Sequence, residues 1–414
     1  MKKKFTKYVG VAIPLLLLLT AMLPARASEL DALLISKNIQ DLHLAHGTII
    51  DPMFTSPNTT TIARYTRGAD SALWSGHYLA AEAFRQGVTG SPEALANVWK
   101  ALNGIRSLVD VTTTNLLARC LVPVDWENNF DQMGIIKEEA GHGIYTTTLY
   151  GRPYYWVGNT SRDQYSGVFF GLGIAYDIIQ DTGVRSFIGD LVTRLLDFLL
   201  RNNWAVIMPN GKISTIFWGR AEQQLSFLQV GRRVNPARFD SIYKNYRFWL
   251  ASSVAAAISF EVLDDHHSYF KFNLDTINLY NLIRLEDSSY YRWIYMNAYN
   301  ILRRTTDDHG NAHFNLIDRG LKGPNSARDA ETRALLDQWL LRPRRDEWVD
   351  WRGVYPACGE DRACAPIPVR DRVRTEFLWQ RSPFLLYGGG AGTIEGPGID
   401  YILPYWMARY YGVL

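Results

Sequence analysis

Residues 165–179 read YSGVFFGLGIAYDII, and residues 184–201 read VRSFIGDLVTRLLDFLLR. The first segment is apolar almost all round, which is typical of a helix enclosed by other helices. The second carries one apolar stripe, with its charged side chains away from that stripe, which is typical of a helix with one face in water. The pair therefore predicts a hairpin made of one inner and one outer helix, the unit from which a ring of helical hairpins is built.

Helical periodicity and helix-start signals recur along most of the chain. Eleven candidate helices lie near residues 29–44, 69–87, 92–110, 162–181, 184–202, 220–230, 236–263, 268–285, 288–305, 328–341 and 399–411. Eleven is close to the twelve helices of six hairpins. The sequence therefore predicts an all-α fold, an (α/α)6 toroid of helical hairpins.

Three parts of the chain interrupt this helical pattern. Residues 204–218 read WAVIMPNGKISTIFW, in which a central Pro-Asn-Gly is flanked by β-favouring residues, and this pattern predicts a small β-hairpin. Residues 120–160, 307–327 and 343–398 are interpreted as long loops on the rim of the toroid. No Pro-, Ser- or Gly-rich linker divides the chain, so we expect a single domain over residues 28–414.

The first 27 residues have the pattern of a secretory signal peptide. Four lysines precede an apolar run over residues 9–19, and Ala25-Arg26-Ala27 resembles a cleavage site. We therefore expect an exported protein, periplasmic or secreted, without a stable membrane anchor after cleavage; the alternative is an uncleaved N-terminal anchor. Without the signal, 39 basic residues stand against 41 acidic ones, a net charge of −2. The mature chain therefore lacks the excess of basic residues that is typical of a nucleic-acid-binding protein.

The chain has three cysteines, and only Cys358 and Cys364 are close in sequence. In an oxidising compartment this spacing predicts a disulfide that closes a small loop. No further thiolate or imidazole ligands lie nearby at the spacing of a zinc site, so we expect no metal there. Residues 264–267, which read DDHH, are interpreted as a solvated turn rather than as metal ligands.

A short pattern occurs at the start of two apolar helical segments. It reads Arg67-Gly-Ala-Asp70-Ser-Ala-Leu-Trp74-Ser-Gly76-His77 and later Arg162-Asp163-Gln-Tyr165-Ser-Gly167. An aspartate at a helix N-terminus is commonly a structural cap. As a pair beside aromatic residues, however, Asp70 and Asp163 are candidate catalytic carboxylates of a sugar-processing site, one as general acid and the other as base or nucleophile.

Further residues are candidates for substrate binding. Trp74 and Trp218 offer aromatic planes for the apolar face of a sugar, and Glu395 and Asp400 lie on a glycine-rich stretch before the last helix. Four more residues are candidates, and each has a structural alternative. The alternative is a salt bridge for Arg67 and Arg162. It is core packing for His77 and Tyr165. The glycine-rich stretch has no Walker lysine, and we expect no cofactor.

The architecture and the acids at the two helix starts resemble the six-hairpin glycosidase-like, (α/α)6-toroid superfamily of exported carbohydrate-active enzymes, over roughly residues 29–414. Many members of that superfamily are hydrolases that use paired Asp or Glu residues. The resemblance therefore implies a glycoside hydrolase acting on an oligo- or polysaccharide, with Asp70 and Asp163 carried over by position.

Two other functions remain open at this point. Related toroids are polysaccharide lyases or uronate epimerases, for which Tyr165 or His77 would be the base and Arg67 or Arg162 would hold the substrate carboxylate. A non-catalytic helical scaffold that binds glycan or protein is the third possibility. The substrate sugar, its linkage and the oligomeric state are not decided by the sequence.

Overall fold

The computed structural model describes residues 26–374 and 377–414. The predicted signal peptide therefore lies almost entirely outside the described residues. Within them the chain is mostly helical and carries three small sheets, so the all-α prediction is correct only in its main content. None of the described helices has the length and apolar character needed to cross a membrane.

Fifteen α-helices are present in the described chain. They are α1 (Glu29–Asn38), α2 (Ser71–Thr89), α3 (Pro92–Asp110), α4 (Val124–Glu127), α5 (Gly134–Glu138), α6 (Arg162–Ile178), α7 (Thr182–Arg201), α8 (Ala221–Val234), α9 (Pro236–Leu250), α10 (Val254–Glu261), α11 (Phe270–Arg284), α12 (Ser289–Thr306), α13 (Ala312–Lys322), α14 (Ser326–Trp339) and α15 (Ile399–Tyr410).

The strands form three antiparallel sheets. In chain order they are β1 (Asp51–Phe54), β2 (Ile62–Thr66), β3 (Cys120–Pro123), β4 (Ile144–Leu149), β5 (Arg152–Val157), β6 (Ala205–Ile207), β7 (Ile213–Ile216), β8 (Arg345–Asp350) and β9 (Tyr387–Glu395). The sheet orders are β2-β1-β9-β8, β3-β5-β4 and β6-β7. The β6–β7 pair confirms the hairpin predicted within residues 204–218.

The three segments interpreted as long loops are loops only in part, because each contains regular elements, whereas residues 351–368 carry no helix or strand. Residues 144–149 and 152–157 form β4 and β5, in which Tyr145 faces Trp156 and two threonines face two tyrosines across the strands. Residues 312–322 form α13, which begins at the Asn311 cap and buries one apolar face. Residues 345–350 and 387–395 pair as β8 and β9. The predicted helix over 236–263 is interrupted by a short 3-10 turn at Ala251–Ser253.

The tightest helix contact joins α2 and α6. A Cβ atom on Gly76 would lie 2.0 Å from the carbonyl oxygen of Gly167, and one on Gly171 would lie 2.2 Å from the carbonyl oxygen of Gly76. Real Cβ atoms do not approach backbone so closely, so the two helices touch through their backbones because these positions are glycine. This contact fixes the N-terminal ends of α2 and α6, which carry Asp70 and Asp163, relative to each other.

Six helices make successive contacts in the order α2, α6, α8, α11, α13 and α15, and α15 in turn packs against α2. Their side chains are buried over most of their length. Helices such as α3, α7, α9, α12 and α14 pack on this set, and α7 is amphipathic, as the sequence predicts. The core therefore lies mainly among the six buried helices.

Candidate functional site

A cavity of about 260 Å³ lies near the starts of α2 and α15. Four of the predicted site residues line it: Arg67, Asp70, Trp74 and Asp400. The wall is strongly charged, and it includes aromatic rings from Trp74, Trp339 and Phe377. The cavity therefore combines charged hydrogen-bonding groups with flat apolar surfaces.

Asp70 lies at the junction of a 3-10 turn, Gly68–Asp70, and α2. Its side chain does not cap α2; instead its Oδ1 accepts a hydrogen bond from Nε2 of Gln164 at 2.9 Å. Arg119 Nη1 lies 3.7 Å from the same oxygen. Because these contacts are to side chains of other segments, the simple capping interpretation of Asp70 does not describe them.

Asp163 reaches a second, smaller cavity that Asp70 also lines. Trp74 and Gln380 line both cavities, which places the smaller one beside the larger. Burial raises the pKa of Asp163, and the positive charges of Arg119 and Arg162 oppose this rise. The two carboxyl groups therefore meet at one site but in different electrostatic environments.

Two glutamates that the sequence analysis did not single out also line the large cavity. Glu138 accepts a hydrogen bond from the Thr66 hydroxyl at 2.7 Å, and Glu139 accepts one from the backbone N–H of Ala69 at 2.8 Å. Burial raises the pKa of Glu139. Both residues fall in a segment that was interpreted as a loop, so no periodicity pointed to them.

His77 and Tyr165 are fully buried, and neither belongs to the lining of the two cavities. The His77 ring contacts the carbonyl oxygen of Leu73 at 3.0 Å and the Asn273 amide at 3.1 Å. Burial lowers the pKa of His77 to about 4. The Tyr165 hydroxyl accepts a hydrogen bond from the backbone N–H of Leu117. The structure thus places both residues in helix packing, because each points at a neighbouring segment rather than into open space.

The remaining predicted residues lie around the site rather than in the cavity lining. Trp218 is 64% exposed, and its indole N–H donates to the Asn203 carbonyl. Glu395 contacts Asn38, His43 and Arg344, and these neighbours hold its pKa near 2. Arg162 is half-buried beside the Asp163 charge. Arg67, which does line the large cavity, also donates to Asp51 at 3.2 Å, the salt bridge that was its structural alternative.

The sequence analysis also did not single out a pair of buried acidic residues. Glu222, at the start of α8, and Asp275, in α11, are both buried, and burial raises the pKa of each, that of Glu222 to about 7. Arg220 lies 4.0 Å from Glu222, and it forms an ion pair with Glu261. An acidic residue one position after a helix start resembles a helix-capping residue in sequence. The sequence pattern therefore did not distinguish Glu222 from an ordinary capping residue.

The Cys358–Cys364 disulfide is present, with a Cα–Cα distance of 4.8 Å. Among the described residues, His266, His267 and Asp361 bring potential metal-ligating atoms within 4.8 Å of one another. Both ring nitrogens of His266 already have hydrogen-bonding partners, Ser382 and Asp361. These contacts explain the arrangement as a hydrogen-bonded turn.

Comparison of the chain with family models, with curated proteins and with solved structures finds no match.

Proposed function

We propose that this protein is an exported glycoside hydrolase that acts on an oligo- or polysaccharide, with Asp70 and Asp163 as its catalytic carboxylates. The observation that carries the proposal is that these two residues, far apart in sequence, line one small cavity that adjoins the large one. Aromatic rings stand beside both carboxyl groups, as Trp74 and Trp379 line the same small cavity. Carboxylates next to aromatic planes suit sugar binding, because the C–H face of a sugar packs on an aromatic ring while its hydroxyls need polar partners.

The two environments support different catalytic roles. Burial favours the protonated form of Asp163, which can then donate a proton to the glycosidic oxygen. The Gln164 amide and the nearby Arg119 guanidinium favour the ionised form of Asp70. An ionised Asp70 can activate water or attack the anomeric carbon. Asp163 is therefore assigned as the general acid and Asp70 as the base or nucleophile.

We also propose that the helices form an (α/α)6 toroid. The order of contacts among α2, α6, α8, α11, α13 and α15 supports this architecture, with the other long helices packed outside. Asp70, Asp163, Glu222 and Asp400 all lie at the start of one of the six helices. A toroid brings such helix starts to one face, where a shared active site can form.

The lyase alternative receives no support from the site. Its two candidate bases, His77 and Tyr165, are buried and hydrogen-bonded to their own chain. A base must reach a proton of the bound substrate. The paired carboxylates at the cavity satisfy this requirement better.

The test measures release of reducing ends from a panel of neutral and anionic glycans by the wild type and by Asp70→Asn and Asp163→Asn. Each substitution is expected to lower kcat by about a hundredfold or more, since each removes a group needed for proton transfer or attack. The melting temperature should change little, because both side chains face a cavity. Asp190→Asn, on the exposed face of α7, is the matched control and should keep wild-type activity. Near-normal hydrolysis by either active-site variant would refute the assignment.

A further inference from the structure

We propose that the large cavity holds a subsite for the negatively charged substituent of a sugar, formed by Arg342, Arg374 and the N-terminal end of α15. The identification of the ligand as a sugar rests on the proposed function, whereas the recognition of its negative charge is argued from the side chains of the cavity. The substituent is an oxyanion, a carboxylate or a sulfate ester. The preferred substrates are therefore acidic glycans.

The two arginines are buried yet incompletely paired. Both line the large cavity, and their side chains are only 6% and 13% exposed. Arg342 donates to the Val373 carbonyl oxygen at 3.1 Å, and Arg374 donates to the Arg370 carbonyl oxygen at 3.1 Å. Each guanidinium carries five N–H donors, and these carbonyl contacts are the hydrogen bonds that its group makes within the described residues. An oxyanion in the cavity that both arginines line can accept hydrogen bonds from the remaining N–H groups at the ends of the side chains.

The nearest acidic groups do not fully compensate these arginines. The ion-pair partner of Arg342 is the Asp400 carboxylate, at 3.7 Å, and that of Arg374 is the Glu347 carboxylate, at 3.6 Å. Both distances are beyond a good hydrogen bond. Asp400 already accepts a hydrogen bond from the backbone N–H of Leu378 at 3.0 Å. Burial lowers the pKa of Arg342 to about 10, and the like charge of Arg374 adds to this effect while Asp400 opposes it.

The start of α15 adds a third positive element. Gly396, Pro397 and Gly398 line the cavity, and α15 begins at Gly398 without a side-chain cap. The N-terminal end of a helix carries unpaired N–H groups and a partial positive charge, which favour an anion. Gly398 has φ of +78°, and a Cβ there would lie 3.2 Å from the guanidinium carbon of Arg344. Glycine at this position therefore lets a further arginine lie against the helix start.

Other acids on the cavity wall are engaged with their own partners. Asp51 pairs with Arg67 and His43, and Asp346 accepts from the backbone N–H of Ile394 at 2.9 Å. Their negative charge is thus directed at groups of the protein. The part of the wall formed by Arg342, Arg374 and α15 keeps donors for a ligand. Because Asp70 lines the same cavity, a charged sugar held there lies next to the proposed catalytic carboxylate.

The experiment measures binding of three probes, glucose, glucuronic acid and glucose 6-sulfate, to the full chain by ligand-observed NMR titration. We expect at least one charged probe to bind about tenfold more tightly than glucose, and Arg374→Gln to abolish this preference. Arg342→Gln should do the same, and if that variant does not fold, Arg374→Gln carries the test. Arg352→Gln removes the same charge from an exposed arginine paired with Asp350 and should keep the preference.

The outcomes separate this inference from the proposed hydrolase activity. A preference for glucuronic acid identifies a carboxylate subsite, and a preference for glucose 6-sulfate identifies a sulfate subsite. Equal binding of all three probes by the wild type, or an unchanged preference in Arg374→Gln, overturns the inference even if neutral glycans are hydrolysed. Arginine-dependent binding of a charged probe without cleavage of any glycan supports the subsite and counts against the hydrolase.

Discussion

At the scale of single residues, the site depends on the different surroundings of Asp70 and Asp163. Asp70 has a hydrogen-bond donor and a nearby cation, whereas Asp163 is largely removed from water. Burial stabilises the neutral form of a carboxyl group, and positive neighbours stabilise its charged form. In the hydrolase that we propose, the same residue type would therefore supply both an acid and a base, as catalysis of glycoside hydrolysis requires.

A charge change beside Asp163 should move the pH profile in a defined direction. The Arg162 charge lowers the pKa of Asp163, so Arg162→Gln should raise that pKa. If Asp163 is the general acid, the alkaline limb of kcat/KM against pH should move upward by about half a unit or more. Arg201→Gln, on α7 and exposed, is the control that should leave the limb in place. A limb that stays fixed or moves downward in Arg162→Gln would argue against Asp163 as the acid.

Glu222 should make stability depend on pH. Burial raises its pKa from the usual 4.5 to about 7, so the folded state binds this proton more tightly than the unfolded state does. Its contribution to stability is therefore fully present below about pH 4.5 and is lost as the pH rises through about 7. Thermal unfolding of the wild type should occur at lower temperature at pH 8 than at pH 5, and Glu222→Gln should reduce this difference. Equal pH dependence in the two proteins would show that Glu222 is not the responsible group.

The sequence predicted part of the residue-level site. Arg67, Asp70, Trp74 and Asp400 stand at helix starts, and a helix start can be recognised from its local pattern. Glu139 and Arg374 were not found, because they enter the cavity from irregular segments whose position depends on distant contacts. His77 illustrates the opposite case: the sequence analysis named it as a candidate for substrate binding, but packing against α11 buries its ring.

At the scale of elements, the α2–α6 crossing holds the two carboxylates together. Gly76→Ala and Gly167→Ala would each place a Cβ atom within 2.5 Å of backbone oxygen on the facing helix. We expect each substitution to lower the free energy of unfolding by about 3 kcal/mol or more, since backbone at a helix crossing yields less readily than a side chain. Denaturant titration followed by circular dichroism measures this change.

Gly189→Ala is the matched control for these substitutions. Gly189 lies in α7, and a Cβ there would meet no atom within 4 Å. Because alanine favours helix over glycine, this variant should be unchanged or more stable by up to about 1 kcal/mol. Similar losses in Gly76→Ala and Gly189→Ala would mean that the close crossing is not what the glycines provide.

The elements that the sequence identified are those with a strong apolar pattern. The clearest cases are α6, which is apolar almost all round, and α7, which carries one apolar stripe. It missed α13, because the turn residues just before it dominated the interpretation of residues 307–327. It also missed β8 and β9, whose glycine-rich strand, residues 387–395, has little intrinsic preference for a sheet. Those strands form because pairing with residues distant in sequence provides the stabilisation that their local preference for a β-strand does not.

At the scale of the whole molecule, the two ends of the described chain meet. Strand β9 pairs with β1 through Met53 and Ile394, and α15 packs against both α1 and α2. Most side chains of α15 are buried. Local sequence patterns predicted the mostly helical content, but this closure depends on contacts between residues more than three hundred positions apart, and no local signal encodes them.

Removal of the last helix should therefore affect the entire fold. Deletion of residues 398–414 would expose the buried faces of α2 and α13, and we expect the cooperative thermal transition to be lost. Deletion of Leu414 alone, which is partly exposed, is the control and should shift the transition only slightly. A truncated chain that still unfolds cooperatively near the wild-type temperature would show that α15 is a peripheral addition.

The most direct test of the central claim is to follow reducing ends and ultraviolet absorbance together while the purified protein acts on a glycan panel, with Asp70→Asn and Asp163→Asn in parallel. The account predicts new reducing ends without an absorbing unsaturated product, and loss of this activity in both variants. An absorbing product formed equally well by both variants, or hydrolysis that needs neither aspartate, would contradict it.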